Sequence, residues 1–184
     1  MNDGACDPQG RFYCGSMAYD ARPGAGQLWR LDPDRTLHQV LDGLTISNGL
    51  VWSLDGASAY HVDTPTGRID RYAVAGGRLI DRRTAATVTG GDPDGIALDA
   101  DGGVWVALWG GSAVHRYDQD GTLTEVVEVG AAQVSSCGFG GESLDRLFIT
   151  TSRHGLVGGS DPHAGAVFAV DPGVRGVRLH EFAG

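Results

Sequence analysis

Asn2, Asn48 and Asp94 recur at a constant interval of 46 residues, and a glycine follows each of them closely: Asn2-Asp3-Gly4, Asn48-Gly49, Asp94-Gly95. Amide and carboxylate oxygens are hard donors, suited to Ca²⁺, Mg²⁺, Mn²⁺ or Zn²⁺ and to the hydroxyl groups of a sugar. Their even spacing suggests that successive copies of one structural unit deliver them to a common point. The competing reading is that Asn-Gly and Asp-Gly are simply turn formers, common in any β protein.

The elements that must position these oxygens repeat with the same period. Gly10, Gly56 and Gly102 stand at one fixed offset from the three markers, and two of them complete Asp55-Gly56 and Asp101-Gly102, a strong hairpin signal. Short β-prone runs precede the turns, as in Gly49–Leu54 and Gly95–Leu98. Others follow them, as in Arg11–Cys14, Ala59–Val62 and Val104–Leu108. A third run in each unit carries an arginine before an apolar or aromatic residue (Gln27–Asp32, Gly67–Tyr72, Ala113–Asp118), and Leu37–Leu41, Leu79-Ile80 and Leu123–Val127 predict a fourth. A looser copy begins near Ser136, with strands expected over Ser135–Gly140, Arg146–Thr150, Gly165–Val170 and Val177–Phe182.

No long amphipathic helix interrupts the series. Short strands of even spacing, grouped in units starting near residues 2, 48, 94 and 136, predict an all-β chain folded over 1–184 as one β-propeller of about four blades. A β-sandwich or barrel with coincidental spacing is the alternative. An incomplete ring would leave two sheet faces and a strand edge open, which would favour self-association.

Composition excludes several classes. The 184 residues carry 30 glycines and a net charge of −9, which leaves no basic footprint for nucleic acid or an anionic membrane. No run approaches the roughly 20 apolar residues that span a bilayer. Cys6, Cys14 and Cys137 are odd in number and lack paired spacing, against a disulfide framework or a zinc knuckle. The opening residues are neither basic nor apolar, so a cytoplasmic location is the default expectation.

There is no G-x-S-x-G elbow, Walker loop, H-E-x-x-H or G-x-G-x-x-G motif. The six histidines show no ligand spacing and are expected at surfaces or strand ends. Cys137 reads as a buried small hydrophobe rather than a nucleophile. Asp63 either approaches the site from a second strand or serves a turn or inter-blade hydrogen bond. Among the tryptophans, only Trp109, beside Gly110-Gly111, is a candidate for a channel mouth.

Asn2-Asp-Gly-x-x-Asp-Pro-x-Gly-Arg11, Ser47-Asn-Gly-Leu-x-Trp52, Pro93-Asp-Gly95, Trp105–Gly111, Ser135-Ser-Cys137 with Phe139-Gly-Gly141, and Phe182-Ala-Gly184 together resemble the senescence-marker-protein, gluconolactonase and luciferin-regenerating-enzyme family. The resemblance spans essentially the whole chain. It implies a six-bladed propeller with one divalent cation in the channel, and hydrolysis of sugar lactones. Residue by residue it implies Asn48 and Asp94 as metal ligands, Asp94 also as general base or as the carboxylate that orients the attacking water, and Asn2 and Asp20 as substrate contacts. The family's remaining ligand, a first-blade glutamate, and an arginine two residues before the position of Asn2 have no counterpart here. The chain thus resembles the last two-thirds of the family's propeller, and the expectation is an impaired lactonase. The alternative is a non-catalytic, metal-poor interaction module.

Overall fold

A computed structural model describes residues 1–184. It contains four antiparallel sheets, each built from strands consecutive in sequence. The first sheet is β1 (Gly4–Cys6), β2 (Phe12–Gly15), β3 (Gly26–Leu31) and β4 (Leu37–Leu44). The second is β5 (Ser47–Trp52), β6 (Ser58–Asp63), β7 (Arg68–Ala75) and β8 (Arg78–Thr87). The third is β9 (Asp92–Leu98), β10 (Val104–Trp109), β11 (Ala113–Tyr117) and β12 (Leu123–Glu128). The fourth has three strands, β13 (Val134–Gly140), β14 (Arg146–Thr151) and β15 (Val167–Val170). The one helical element is a 3₁₀ turn over Thr64–Thr66, and no helix is long and apolar enough to cross a membrane. The first strand of each sheet lies against the first strand of the next, β1 on β5, β5 on β9 and β9 on β13. This is the inner ring of a β-propeller, here with four blades.

The core lies between blades, and side-chain alternation in the strands explains why. On β10, Val104, Val106 and Leu108 join a cluster with Tyr60, Val62 and Ile69 of the second blade. Trp105 and Ala107 point the other way, into a cluster with Val134, Leu147 and Ile149 of the fourth. A third cluster joins Tyr13 and Leu28 of the first blade to Leu50, Trp52 and Tyr72 of the second. Both faces of β6 are covered, so all of its residues are buried, the apolar ones packed in the core and Ser58, His61 and Asp63 paired by hydrogen bonds. The last blade has one covered face. Leu147 and Ile149 of β14 are buried, while Phe148 between them is 41% exposed.

The expected turns are present in a different form. Gly10, Gly56 and Gly102 take left-handed φ of 72°, 67° and 82°, but Asp55 and Asp101 do not, so these are longer loops rather than two-residue hairpins. Each is capped by a residue that the sequence pattern alone did not single out. Asp7 Oδ1 accepts from the N–H groups of Gln9 and Arg11, Ser53 Oγ from that of Ser58, and Asp99 Oδ1 from those of Asp101 and Gly103. Asp99 also receives Trp105 Nε1 at 2.8 Å and Arg116 Nε at 2.7 Å.

The strand expected over Val177–Phe182 does not form. Beyond the left-handed Gly173, the chain leaves β15. It pairs Gly176 with Asp99, passes beneath the channel, and returns to the first blade, where the Ala183 N–H donates to the Gly10 carbonyl at 3.0 Å. The partners of these backbone groups are Leu144 in the β13–β14 loop and residues of the third and first blades, not a strand alongside β15.

Candidate functional site

Asn48 and Asp94 sit near the start of β5 and β9, and Asn2 just precedes β1, so all three stand at one end of the inner ring. Neither Gly49 nor Gly95 has a left-handed φ, and both lie inside strands, so these pairs are not turns. A Cβ on Gly49 would lie 2.6 Å from Ile96 N and 2.8 Å from the Asp94 carbonyl oxygen. Glycine is therefore required by the close approach of β5 to β9, which sets Asn48 beside Asp94.

A chain of hydrogen bonds then runs across three blades. Asn2 Nδ2 donates to the Ser47 carbonyl and to Asn48 Oδ1, both at 2.9 Å. Asn48 Nδ2 donates to Thr64 Oγ1 at 2.8 Å, and Thr64 Oγ1 donates to the Pro93 carbonyl at 2.8 Å, one peptide from Asp94. Asn2 Oδ1 and the Asp94 carboxylate accept no hydrogen bond within the protein.

Burial raises the Asp94 carboxyl to a pKa of about 7, helped by the negative charge of Asp3. Asp3 is itself raised by burial, against the lowering effect of its bond from the Gly4 N–H. Asp3 and Asp94 are therefore partly buried carboxyls that sense each other's charge, and the Asn48 amide lies on the adjacent inner strand. This donor set fits a hard divalent cation. No group of three His, Cys, Asp or Glu side chains forms a ready cage, so the carboxylates alone do not complete a cation site.

Below these residues lies a cavity of about 400 Å³, lined among others by Asp3, Cys6, Trp52, Leu98, Phe139 and Leu179. Its walls are the inner strands and its floor is the returning tail.

The other sequence candidates are placed as follows. Asp20 is exposed in the β2–β3 loop, pairs with Arg22 at 3.5 Å, and makes no bond to Asn2, Asn48 or Asp94. Asp63 accepts from the Thr45 and Ile46 N–H groups, so of its two readings the inter-blade bond is the one observed. Trp109 packs near His154, with ring centroids 6.4 Å apart. Cys137 is buried and its thiol is pushed up to about 12, an inert core residue.

The expectation for the histidines fails at two positions. His61 and His115 are buried within β6 and β11 because both faces of these middle blades are covered. His61 Nε2 meets Ser47 Oγ at 2.8 Å, and burial depresses its pKa to about 4, so the ring is neutral. No catalytic triad follows. Ser47 is fully buried, and Asp70, opposite His61 in the sheet, is held by Arg68 and Arg82. Asp3, Ser47 and Thr64 are polar residues around these oxygens that the spacing does not single out as site residues. Asp3 alone carried a signal, as the carboxylate inside the Asn2-Asp3-Gly4 marker.

The fold is a β-propeller of four blades, with Asn2, Asn48 and Asp94 at one end of its inner ring. A family model described as the SMP-30/Gluconolactonase/LRE-like region matches residues 1–153, and the chain belongs to that family. Regucalcin of Danio rerio is 35% identical over 195 residues, covering all of this chain and 66% of its own length. A calcium-binding protein, regucalcin, from Agrobacterium tumefaciens superposes with a TM-score of 0.92 at 30% identity, covering 98% of this chain and 64% of its own. A gluconolactonase from Xanthomonas campestris superposes at 0.71 with 30% identity, covering 81% of this chain and 53% of that one. The chain thus spans about two-thirds of the length of the regucalcins it matches.

Proposed function

We propose that Asn48 and Asp94 hold one divalent cation (calcium, zinc, magnesium or manganese) in a site that hydrolyses a sugar lactone. Asp94 is the general base, Asn2 a substrate contact, and Asp20 a contact at the rim. The observation that carries this reading is the placement of Asn48 and Asp94 on adjoining inner strands at one end of the ring, with the Asp94 carboxylate free of hydrogen-bond donors. A carboxylate with no competing donors is free both to bind a cation and to accept a proton from water.

When bound, the cation supplies Lewis-acid polarisation of the ester carbonyl and stabilises the developing oxyanion. Asp94 accepts a proton from the attacking water. The ring C–O bond then breaks, the proton passes to the departing hydroxyl, and an aldonic acid results. Asn2 Oδ1, unused by the protein, accepts from a sugar hydroxyl. The ligands supplied by these 184 residues do not include the glutamate implied by the resemblance, so turnover by this chain alone is expected to be low. The free thiols of Cys6, Cys14 and Cys137 suit the reducing cytoplasm as the compartment.

The test is hydrolysis of gluconolactone by chelator-treated protein to which each cation is restored. Asp94→Asn is expected to lower turnover by about 100-fold or more, the scale of a lost general base. Undiminished turnover by Asp94→Asn, or by the chelated protein, contradicts the reading.

A second reading, a metal-poor module that associates through its open sheet faces, is favoured by the fourth blade. Phe148 of β14 is 41% exposed and Val167 of β15 is 66% exposed, with no further blade against them. Sedimentation of a clean monomer at all concentrations would exclude it.

A further inference from the structure

We infer that Thr64 is a positioning residue that sets the rotation of the Asn48 amide, holding its nitrogen at Thr64 and turning its oxygen toward Asn2; the inference rests on the reading of Asn48 as a cation ligand. Thr64 follows β6 and begins the 3₁₀ turn Thr64–Thr66. It is held from both sides in sequence. Its own N–H donates to the Ile46 carbonyl at 3.1 Å, and the preceding Asp63 is anchored by the Thr45 and Ile46 N–H groups.

A threonine hydroxyl has one proton to give. The Pro93 carbonyl can only accept, so the bond of 2.8 Å between them commits that proton to Pro93. Toward Asn48 the same hydroxyl can then act only as an acceptor, and its partner at 2.8 Å must be the amide nitrogen. Asn48 Oδ1 is thereby turned to the opposite side, where Asn2 Nδ2 reaches it at 2.9 Å.

The far end is fixed by the same logic. Asn2 Nδ2 also donates to the Ser47 carbonyl, another group that can only accept, so the nitrogen of Asn2 cannot trade places with its oxygen. Rotating the Asn48 amide by half a turn would set oxygen against the committed Thr64 oxygen and nitrogen against the Asn2 nitrogen. Two bonds would become two repulsions. A hard cation needs the amide oxygen and gains nothing from the nitrogen, so this polarity decides whether Asn48 is a ligand at all.

The same hydroxyl ties Asn48 to the peptide that carries Asp94. One side chain on the second blade therefore sets both the rotation of one candidate ligand and the backbone plane of the other.

The test compares the 184-residue chain with Thr64→Val, Thr64→Ala and Thr64→Ser, their folding checked by circular dichroism. In ¹⁵N-labelled protein without any cation, the Asn48 side-chain amide is expected to exchange slowly in the wild type and Thr64→Ser. In Thr64→Val and Thr64→Ala it is expected to exchange quickly. Calcium alone is then titrated by calorimetry, and loss of the hydroxyl is expected to weaken binding about 10-fold or more, the scale of a lost outer-shell partner, with Thr64→Ser restoring most of it. Unchanged Asn48 amide exchange in folded Thr64→Val or Thr64→Ala overturns the inference. Loss of amide protection in those variants in a protein that binds no cation sustains the positioning role and removes the metal reading instead.

Discussion

Asn2 and Asn48, equivalent residues of neighbouring blades 46 positions apart, are joined directly, amide nitrogen to amide oxygen at 2.9 Å. Successive copies of the repeat are therefore in direct contact, and one orients the next. Replacing Asn2 by Asp sets a carboxylate against Asn48 Oδ1 and the Ser47 carbonyl, two groups that can only accept. We expect Asn2→Asp to raise KM for the lactone more than it lowers kcat and to cost no more than about 1 kcal/mol of stability, because Asn2 is exposed and water can solvate the groups left unpaired. Steady-state kinetics and urea unfolding measure the two effects.

Gly49 tests the close approach of the inner strands. A methyl group there would meet Ile96 N and the Asp94 carbonyl, which are backbone atoms and cannot swing aside. Gly49→Ala should destabilise by about 1–3 kcal/mol, as overpacking does, and should weaken cation binding because β9 carries Asp94. The urea midpoint and a cation titration report these separately.

His61 gives a pH dependence with a definite sign. Its folded pKa of about 4 lies below the ordinary 6.5, so the unfolded chain binds a proton that the folded one refuses. Its contribution to stability is complete above 6.5, falls as pH drops toward 4, and falls no further below that. The full effect is on the order of 3 kcal/mol. His61→Gln, which retains a partner for Ser47 Oγ, should flatten that part of the curve. Denaturant unfolding of both proteins between pH 7 and 4 provides the check.

Asp94 is shifted the other way. With its pKa raised to about 7, the carboxyl still holds its proton in much of the folded protein at pH 6 but in little at pH 8. In the cation reading, affinity should therefore rise between pH 5.5 and 8 and level above that, with a proton released on binding at the acid end. In the folded state without cation, the sign for stability is opposite. Ionising a carboxyl whose folded pKa is raised costs stability as pH climbs from the ordinary 3.8 through about 7. Calorimetry in buffers of different ionisation enthalpy detects the released proton.

Much of the architecture was legible in the sequence because it is periodic. The markers, the turn glycines and fourteen of the strands follow from local pattern. Val177–Phe182 has the same β-prone composition but no strand, since a strand needs a ladder partner and composition cannot supply one. The histidines were misplaced for a related reason. A His in a strand covered on both faces looks in sequence like a His at a surface, and only the packing of three blades buries His61. Asn48 and Asp94 were visible as repeated oxygens, whereas Thr64 was not, because its role depends on a carbonyl 29 positions away on another blade.

The central claim, a cation held between Asn48 and Asp94, is tested most directly by titrating Mn²⁺ into ¹⁵N-labelled protein and following paramagnetic broadening. The account predicts that resonances of residues around Asp3, Asn48, Gly49, Asp94 and Gly95 vanish first and that Asp94→Asn abolishes this pattern. Broadening that begins at exposed carboxylates such as Asp20 or Asp120, or that survives Asp94→Asn unchanged, would contradict it.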